Sequence, residues 1–275
     1  MRENDKAMSQ TVGQVAIITG AGSGIGLGAA KKLAEAGMAI VGVGRDPDKL
    51  SALAHAVGDA DRALSVSADL TENDAPRRVV EAALERFGRI DFLINNAGVG
   101  RPKPVHEADD ETLDAVLGLM LRAPFRLIRE VLPHLKPGSG VVNVTSTYAL
   151  VGGLRGGAYS AAKAGMTGLT LHMACEYGLR GIRTNAVAPG VIPTPMTAGR
   201  FEDETFMRMN NDMTPYPRLG TVEDVASVIA FLCSPGGSFI NGQTVAVDGG
   251  WSSTRFLSEY ARTAEWQPPR PADSD

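Results

Sequence analysis

Short apolar runs alternate along most of this chain with longer stretches whose apolar residues recur every three to four positions. Short apolar runs are typical of buried strands, whereas the longer spacing predicts helices that bury one face. The predicted strands are residues 15–19, 39–43, 64–69, 90–94, 141–144, 183–187 and 244–247. The predicted helices are residues 25–36, 48–56, 74–87, 111–132, 158–177 and 222–232, with a C-cap at Gly37 and an interruption at Pro124. The stretch 189–219 is expected to be irregular.

Strands that alternate with helices from end to end predict an α/β fold, a doubly wound seven-stranded parallel sheet with helices on both faces. No linker divides the pattern, so we expect one domain over residues 12–251. Residues 1–11 are expected to form a flexible N-terminal segment. Residues 252–275 form a C-terminal extension, whose proline-rich and charged end is expected to be disordered.

Composition and charge exclude several classes of function. The 275 residues carry 27 basic and 31 acidic side chains, a net charge of −4, so no basic excess indicates binding to nucleic acid or to an anionic membrane. The polar N-terminus does not form a secretory signal, and no apolar run approaches membrane-spanning length. Cys175 and Cys233 are isolated, so neither a disulfide framework nor a metal site is expected. The cytoplasm is the compartment expected by exclusion.

A glycine-rich loop separates the first predicted strand from the first predicted helix. Gly20, Gly24 and Gly26 lie in this loop, with a spacing that departs from the common G-x-G-x-x-G fingerprint. Such loops also occur as plain tight turns. The position between a strand and a helix favours a dinucleotide site, because the phosphates of a ligand can approach the backbone N–H groups at the helix N-terminus.

Tyr159 and Lys163 are four residues apart on a predicted helix, which places both side chains on one face. A cation beside a tyrosine stabilises the ionised phenol, so we expect Lys163 to lower the pKa of Tyr159 toward the working pH. Such a phenol can act as acid or base on a carbonyl oxygen. Ser146 follows the preceding strand, where α/β proteins bind ligands. The Tyr-x-x-x-Lys pattern alone is weak, because an ordinary surface pair on a helix has the same spacing.

Four blocks occur in register along the chain: the glycine loop at residues 19–26, Asn-Asn-Ala-Gly at 95–98, Ser146 with Tyr159 and Lys163, and Pro-Gly-Val-Ile-Pro-Thr at 189–194. Together they resemble the short-chain dehydrogenase/reductase family, whose members have a Rossmann fold, and the resemblance extends from Val12 to Trp251. It implies an NAD(P)-dependent oxidoreductase that transfers a hydride between a nicotinamide cofactor and a carbonyl or secondary-alcohol substrate.

The resemblance also implies roles for single residues. Tyr159 is implied as the acid/base, Lys163 as the group that lowers its pKa and holds the nicotinamide ribose, and Ser146 as a hydrogen-bonding partner of the substrate oxygen. Ile192, through its backbone, and Thr194 are implied as contacts of the nicotinamide carboxamide. The full set of implied cofactor contacts is Gly20, Ser23, Gly24, Ile25, Gly26, Arg45, Asp69, Leu70, Asn95, Ala97, Gly98, Tyr159, Lys163, Pro189, Gly190, Ile192 and Thr194.

The adenosine half of the cofactor is implied to bind near the ends of the second, third and fourth strands. Asp69 would contact adenine and Asn95 would lie beside the ribose, although Asn95 could equally tie its strand end to its neighbours. NAD-preferring relatives usually have an aspartate where this chain has Gly44, and the guanidinium of Arg45 suits the 2′-phosphate of NADP. Asp46 could instead bind the ribose hydroxyls, so NADP is the expected cofactor and NAD is the alternative.

One position departs from the family pattern. Family members usually carry a fourth catalytic residue, an asparagine, where this chain has Met120, and a thioether donates no hydrogen bond. That asparagine is thought to shape its helix so that its backbone carbonyl holds a water in a proton chain to the lysine. We expect activity with a weaker or reorganised relay. The alternatives are that Met120 is a core residue packed near Val116, and that the protein is a cofactor-binding sensor or scaffold with little or no turnover.

The segment 195–217 is expected to close over the substrate, and its apolar residues are Met196, Phe201, Phe206, Met207, Met209, Met213 and Tyr216. These side chains suit an apolar substrate, but they could equally pack on the body of the protein. No charge in the segment is expected to require an acidic or basic substrate. The glycines of the entry loop are expected to leave it small and mobile; they are Gly152, Gly153, Gly156 and Gly157.

The oligomeric state is implied by resemblance alone. A homodimer or homotetramer is expected, with the helices that carry Met120 and Tyr159 in the contact. The segment from Trp251 to Trp266 extends past the last predicted strand, and two tryptophans in an otherwise polar tail suggest burial, for which a neighbouring subunit is one candidate.

Overall fold

The computed structural model describes residues 11–253. The expected flexible N-terminal segment falls, but for its last residue, outside the described residues, and so do Trp266 and the expected disordered end. Between residues 11 and 253, no helix is both long and apolar enough to cross a membrane.

Seven parallel strands form one sheet, as the alternating pattern predicts. The strands are β1 (Val15–Thr19), β2 (Ala39–Gly44), β3 (Ala63–Ser67), β4 (Phe92–Asn95), β5 (Gly140–Val144), β6 (Arg183–Pro189) and β7 (Thr244–Val247). Their order across the sheet is β3-β2-β1-β4-β5-β6-β7, so the strand order reverses between β1 and β4. Ligands bind at such a reversal point in open α/β sheets, beyond the carboxyl ends of the strands.

Eight α-helices cover the two faces of the sheet in the described part of the chain. They are α1 (Gly24–Glu35), α2 (Pro47–Val57), α3 (Ala75–Phe87), α4 (Asp110–Leu117), α5 (Ala123–Val131), α6 (Gly157–Gly178), α7 (Glu204–Met213) and α8 (Val222–Leu232). One face buries an apolar cluster that includes Leu33, Leu53 and Ile229. The other face buries a second cluster that includes Val79 and Leu127. Both faces of the sheet are therefore covered, which confirms the doubly wound fold.

Local sequence explains where several helices begin and end. Asp46 caps α2 by accepting hydrogen bonds from the backbone N–H groups of Asp48 and Lys49, and Thr221 and Asp224 form a capping box at α8. Gly58 ends α2 in the left-handed conformation, with a φ of 71°, a backbone geometry that glycine adopts without steric cost.

The predicted helix 111–132 is interrupted, but not at Pro124. The interruption is a five-residue π-helical segment, Gly118–Arg122, and Pro124 lies in the first turn of α5. Proline is tolerated in a first turn because it has no N–H to leave unpaired there. The same missing N–H removes the α-helical donor for the carbonyl four residues earlier, which is that of Met120. Proline therefore changes the helix upstream of itself rather than at its own position.

The expectation that residues 189–219 are irregular is wrong for Glu204–Met213, which forms a helix of ten residues. Asp203 caps this helix by accepting hydrogen bonds from Thr205 and Phe206. Phe206, Met209 and Met213 recur at helical spacing and line one cavity. The segment has a helix-start signal followed by an apolar stripe, and the surrounding prolines and glycines obscured both.

Candidate active site

A cavity of about 730 Å³ lies at the carboxyl ends of the central strands. It collects most of the residues predicted for the site. The glycine loop lines it with Gly20, Ser23, Gly24 and Ile25, and the segment after β6 lines it with Pro189, Gly190, Ile192 and Thr194. Ala97, Gly98, Ser146, Tyr159 and Lys163 complete the predicted residues that it brings together.

The glycine loop has no room for side chains at two of its turns. Gly20 has a φ of 69° and Gly24 a φ of 53°, both in the left-handed region. A Cβ added at Gly26 would collide with the carbonyl oxygen of Gly20 and lie 2.6 Å from Nδ2 of Asn96. Ser23, at the N-cap of α1, makes no side-chain cap hydrogen bond, and no acidic residue lies in the first turn. The helix N-terminus thus presents backbone N–H groups to an anion.

Asn96, which sequence reasoning did not single out, ties the glycine loop to β4. Its side-chain amide donates to the carbonyl oxygen of Thr19 at 2.9 Å, and its backbone N–H donates to Oγ1 of Thr19 at 2.9 Å. Asn95 is 5% exposed and donates to Oδ1 of Asn143, its register partner on β5, at 2.9 Å. The side chain of Asn95 thus links β4 to β5, and it does not line the cavity. Neighbouring strand residues point to opposite faces, so only one asparagine of the pair could face the loop.

Three of the predicted adenosine contacts lie outside the cavity, at the edge formed by β2 and β3. Nη1 of Arg45 is 3.9 Å from Oδ2 of Asp69; the Arg45 side chain is largely exposed and that of Asp69 is partly buried. Oδ1 of Asp69 accepts hydrogen bonds from the hydroxyl and the backbone N–H of Thr71, at 2.7 and 2.9 Å, and these bonds hold the pKa of Asp69 below its ordinary value. Leu70 is buried beside them.

The catalytic candidates converge from β5 and α6. Oγ of Ser146, directly beyond β5, accepts a hydrogen bond from the backbone N–H of Tyr148 at 3.2 Å. Lys163 is 5% exposed, and its Nζ donates to the carbonyl oxygen of Val144 at 2.7 Å. The same Nζ lies 5.7 Å from the centroid of the Tyr159 ring. The four-residue spacing therefore places the ammonium beside the ring, as expected.

The expected lowering of the pKa of Tyr159 by Lys163 is wrong. Burial raises the pKa of Tyr159 above its ordinary value, while the neighbouring Ser146 hydroxyl and the charge of Arg200 lower it by less. Burial also lowers the pKa of Lys163 to about 8. Both shifts have one physical cause, because a site with little water disfavours the charged form of either group. The phenol thus holds its proton over the physiological range.

Tyr148 occupies the entry loop, which is packed where the sequence suggested a small and mobile segment. Its ring makes an edge contact with Tyr159, with centroids 6.2 Å apart, and stacks on Trp251, also at 6.2 Å. A Cβ added at Gly153 would lie 2.6 Å from Cε1 of Tyr148, and one at Gly156 would lie 2.9 Å from its Cδ2. These two glycines therefore admit the tyrosine ring.

Comparison with known proteins identifies relatives of this chain. A family model described as enoyl-(acyl carrier protein) reductase matches residues 20–252. A cis-4-hydroxycyclohexanecarboxylate dehydrogenase of Sinomonas cyclohexanicum is 41% identical over 244 residues, which cover 87% of this chain and 97% of that relative. The solved structure of a short chain dehydrogenase from Burkholderia cenocepacia J2315, in complex with NADP, has a TM-score of 0.83 at 30% identity and covers 88% of this chain and 99% of its own.

The chain belongs to the short-chain dehydrogenase/reductase family. A second solved member, the 3-ketoacyl-(acyl-carrier-protein) reductase from Brucella melitensis complexed with NADH, has a TM-score of 0.81 at 37% identity and covers 88% of this chain and 99% of its own. Solved relatives in this family thus hold NADP in one case and NADH in another. Family membership implies a nicotinamide cofactor without deciding between the two forms.

The departure of this family member, Met120, lies in the π-helical segment and is 1% exposed. It packs in a small cluster with Val116 and Ala162, and a Cβ added at Gly98 would lie 3.5 Å from its Cε. Met120 also forms part of the cavity wall. The thioether is therefore both a packing residue and a neighbour of the site.

Family motifs gave no reason to single out three arginines that line the cavity, namely Arg101, Arg155 and Arg200. Each lies in a loop or a short 3₁₀ turn, outside the four motif blocks. Arg155 has a φ of 57°, and within residues 11–253 it is the one non-glycine residue in the left-handed region. Such backbone strain occurs preferentially at functional loops.

Proposed function

We propose that this protein is an NAD(P)-dependent oxidoreductase that interconverts a carbonyl compound and the corresponding secondary alcohol, with Tyr159 as the acid/base. One observation carries this proposal. The side chains of Ser146, Tyr159 and Lys163 lie in the same cavity as the uncapped N-terminus of α1, so a proton-transfer group and a phosphate cradle share one space.

The residues present suit a bound dinucleotide. A Cβ at Gly26 would close the cradle, and the loop end of β6 contributes Ile192 and Thr194 to the same wall. Oγ1 of Thr197 donates to the carbonyl oxygen of Ile192 at 2.7 Å and fixes this loop. When bound, the nicotinamide would supply or accept the hydride, whereas the chain would position it and manage the proton.

Tyr159 would carry the proton in both directions. Burial keeps the phenol protonated, so it can donate to a carbonyl oxygen on which negative charge develops during reduction. Ser146 would share that oxygen as a second hydrogen-bonding group. In the oxidation direction the phenol must first lose its proton, and the charge of Lys163, which is present below about pH 8, would favour that loss. We therefore expect alcohol oxidation to require a higher pH than carbonyl reduction.

NADP is the cofactor that we propose, with NAD as the alternative. Both carboxylate oxygens of Asp46 already have partners, since Oδ1 accepts from two backbone N–H groups of α2 and Oδ2 lies 3.3 Å from Nζ of Lys49. Among the described residues, the guanidinium of Arg45 pairs with Asp69 alone, at 3.9 Å, and it can turn toward a 2′-phosphate. Arg45→Ala should weaken NADP binding by about tenfold or more and NAD binding by little. Equal weakening of both cofactors would overturn the assignment.

Substrate turnover is the direct test of the reaction. We would follow the absorbance of the reduced cofactor with NADP and NAD against a panel of ketones and secondary alcohols. The relative from Sinomonas cyclohexanicum is named for a cyclic alcohol that carries a carboxylate. The panel therefore includes cyclohexanone, the corresponding oxocyclohexanecarboxylate and its methyl ester. Turnover of any member with either cofactor supports the proposal, and none across the panel contradicts it.

A second candidate function rests on Met120. If the proton relay of the family needs the asparagine, the protein could bind cofactor as a sensor or scaffold with little turnover. Saturable cofactor binding, measured by fluorescence titration, together with no turnover across the panel would favour this candidate.

We also propose a homodimer or homotetramer whose contact is formed by the helical stretch 110–131, which carries Met120 and begins with α4, and by α6, which carries Tyr159. Leu113 on α4 is 38% exposed and Leu171 on α6 is 57% exposed, so apolar side chains on both helices face outward. Light scattering coupled to size-exclusion chromatography measures the mass, and a monomer at micromolar concentration would contradict the proposal.

A further inference from the structure

The charged residues that line the cavity are all basic. They are Arg101, Arg155, Lys163 and Arg200, and no aspartate or glutamate is among the lining residues that the structure describes. The chain as a whole has a net charge of −4, so this distribution does not follow from its composition. A concave site lined by one sign of charge concentrates ligands of the opposite sign.

The three arginines at the cavity are available to a ligand. Within residues 11–253, no ion pair or hydrogen bond holds the side chain of Arg101, Arg155 or Arg200. By contrast, Arg218, a short distance further along the chain, forms a two-bond pair with Asp224, at 2.6 and 2.9 Å. An exposed guanidinium without an acidic partner can bind a carboxylate through two parallel hydrogen bonds.

Arg200 is the arginine whose charge reaches the reacting group. It lies on the 3₁₀ turn Ala198–Arg200, between the loop after β6 and α7. Its positive charge lowers the pKa of Tyr159, against the larger effect of burial. Arg200 and Tyr159 both line this cavity, so a substrate bound in it has the guanidinium and the phenol on its walls.

Apart from Thr197 and Asn210, the wall that the segment 195–217 contributes beside Arg200 is apolar. Met196 lies in the loop after β6, two residues beyond Thr194. Helix α7 contributes Phe206, Met209 and Met213. Trp251 closes the opposite side by stacking on Tyr148. A ligand that fits this cavity therefore has an apolar body, which contacts these side chains, and a negatively charged group, which reaches an arginine.

We propose that the substrate is an apolar ketone or secondary alcohol that carries a carboxylate, and that Arg200 binds this carboxylate while the reacting oxygen lies at Tyr159. This inference rests on the proposed function and adds to it the substrate class and the residue that selects it. The proposal departs from the expectation that no charge in the segment 195–217 requires an acidic or basic substrate.

The kinetic test compares the oxocyclohexanecarboxylate with its methyl ester, which has nearly the same shape and no charge. The wild-type protein should reduce the acid with a kcat/KM about 10- to 100-fold above that of the ester, the range of a charge-assisted hydrogen-bonded pair. Arg200→Gln should abolish this preference by lowering kcat/KM for the acid alone, and Arg200→Lys should keep part of it. Arg208→Gln is the matched control, because Arg208 is exposed on α7 away from the cavity lining. It should leave both values unchanged.

A binding arm keeps this inference separate from the proposed function. Isothermal titration of the NADPH-loaded protein with cyclohexanecarboxylate requires no turnover, and Arg200→Gln should weaken this binding by about tenfold or more. If the panel shows no turnover but the carboxylate binds through Arg200, the proposed reaction fails and the anion site stands. If the ester is turned over as well as the acid, or Arg200→Gln weakens both equally, the anion site fails and the reaction stands. Loss of the preference in Arg155→Gln or Arg101→Gln but not in Arg200→Gln would overturn the choice of residue. Tighter Arg200-dependent binding of cyclohexylphosphonate would overturn the choice of a carboxylate.

Discussion

The two halves of the cavity are built in different ways. The cofactor half is formed by backbone, with glycines where a single added carbon at Gly26 meets Asn96 at 2.6 Å. The substrate half is formed by long side chains, including Met196, Met209 and the unpaired Arg200. Backbone walls tied into the sheet allow one ligand shape, whereas methionine and arginine walls can change without altering the fold. We therefore expect family members to resemble one another more in the cofactor half than in the substrate half.

Tyr159 and Lys163 lie where the two halves meet. Lys163 donates a hydrogen bond to the carbonyl oxygen at the end of β5, so the sheet fixes the position of its ammonium group. Tyr159 contacts Tyr148, which reaches Trp251 on the substrate side. A change here should separate chemistry from binding, and a change within either half should affect mainly that half.

The largest effect is expected from Tyr159→Phe, which removes one oxygen at the boundary. Loss of the acid/base should lower kcat/KM by about 10²- to 10⁴-fold. Cofactor affinity should change by less than about twofold, because the cofactor half keeps every contact within it. Steady-state kinetics and fluorescence titration measure the two quantities. Tyr148→Phe is the matched control, since it also removes a phenol oxygen next to the site and should retain most activity. Comparable losses in both variants would show that ring packing, not the Tyr159 hydroxyl, matters.

The next largest effect is expected from Gly26→Ala, which adds one carbon to the cofactor half. The collision with the Gly20 carbonyl should cost about 1–3 kcal/mol of unfolding free energy and weaken cofactor binding by about tenfold or more. Gly168→Ala adds the same carbon inside α6, where nothing lies within 4 Å of the new Cβ. It should instead stabilise the protein by about 0.5–1 kcal/mol. Thermal unfolding distinguishes the two, and equal tolerance of both changes would refute the rigid-cradle description.

Lys163→Met should reveal the stability cost of a buried cation at the boundary. Burial lowers the pKa of Lys163 from its ordinary value of 10.5 to about 8 in the folded protein. Below about pH 8 both states hold the proton, so the full cost of burial is present. As pH rises from about 8 toward 10.5, the unfolded chain holds more protons than the folded one, and the cost falls. Between about pH 7 and pH 9.5, the unfolding free energy of the wild type should therefore rise by about 2 kcal/mol relative to that of Lys163→Met.

Chemical denaturation at several pH values measures that gain. Lys136→Met is the control, because Lys136 is exposed, and its stability difference from the wild type should stay flat with pH. A flat difference for Lys163→Met would mean that the ammonium is solvated in the folded protein. Turnover of Lys163→Met should fall most below about pH 8, where Lys163 carries its charge, because the phenol then lacks its neighbouring cation.

How much the sequence predicted also differs between the two halves. The strand–glycine–helix pattern located the cradle, because steric limits on glycine leave a direct mark in sequence. The pairing of Asn96 with Thr19 was missed, because adjacent asparagines look alike until the strand pleat sets their directions. Arg200 was missed because a charge in a loop has no periodicity that would place it at a cavity. The pKa of Tyr159 was predicted in the wrong direction, because burial depends on packing that residue spacing does not encode.

The smallest effect on turnover is expected from Met120→Asn. This change tests whether the proton relay near Lys163 depends on the backbone carbonyl of residue 120 or on its side chain. Pro124 already removes the α-helical donor from the Met120 carbonyl, so a water could be held there without an asparagine. We expect kcat to rise by less than about tenfold, far below the contribution of a general acid. Stability should fall by about 1–3 kcal/mol, because an amide replaces a buried thioether.

Met120→Leu is the control for packing in this experiment, since it keeps the volume without adding a polar group and should change stability by less than about 1.5 kcal/mol. The measurement is kcat with its solvent deuterium isotope effect, which reports whether proton transfer limits turnover. A faster Met120→Asn with a smaller isotope effect would show that the side chain improves a limiting relay. A fall in kcat for Met120→Asn, with Met120→Leu unchanged, would show that the carbonyl suffices and that Met120 is retained for its fit against Gly98 and Val116.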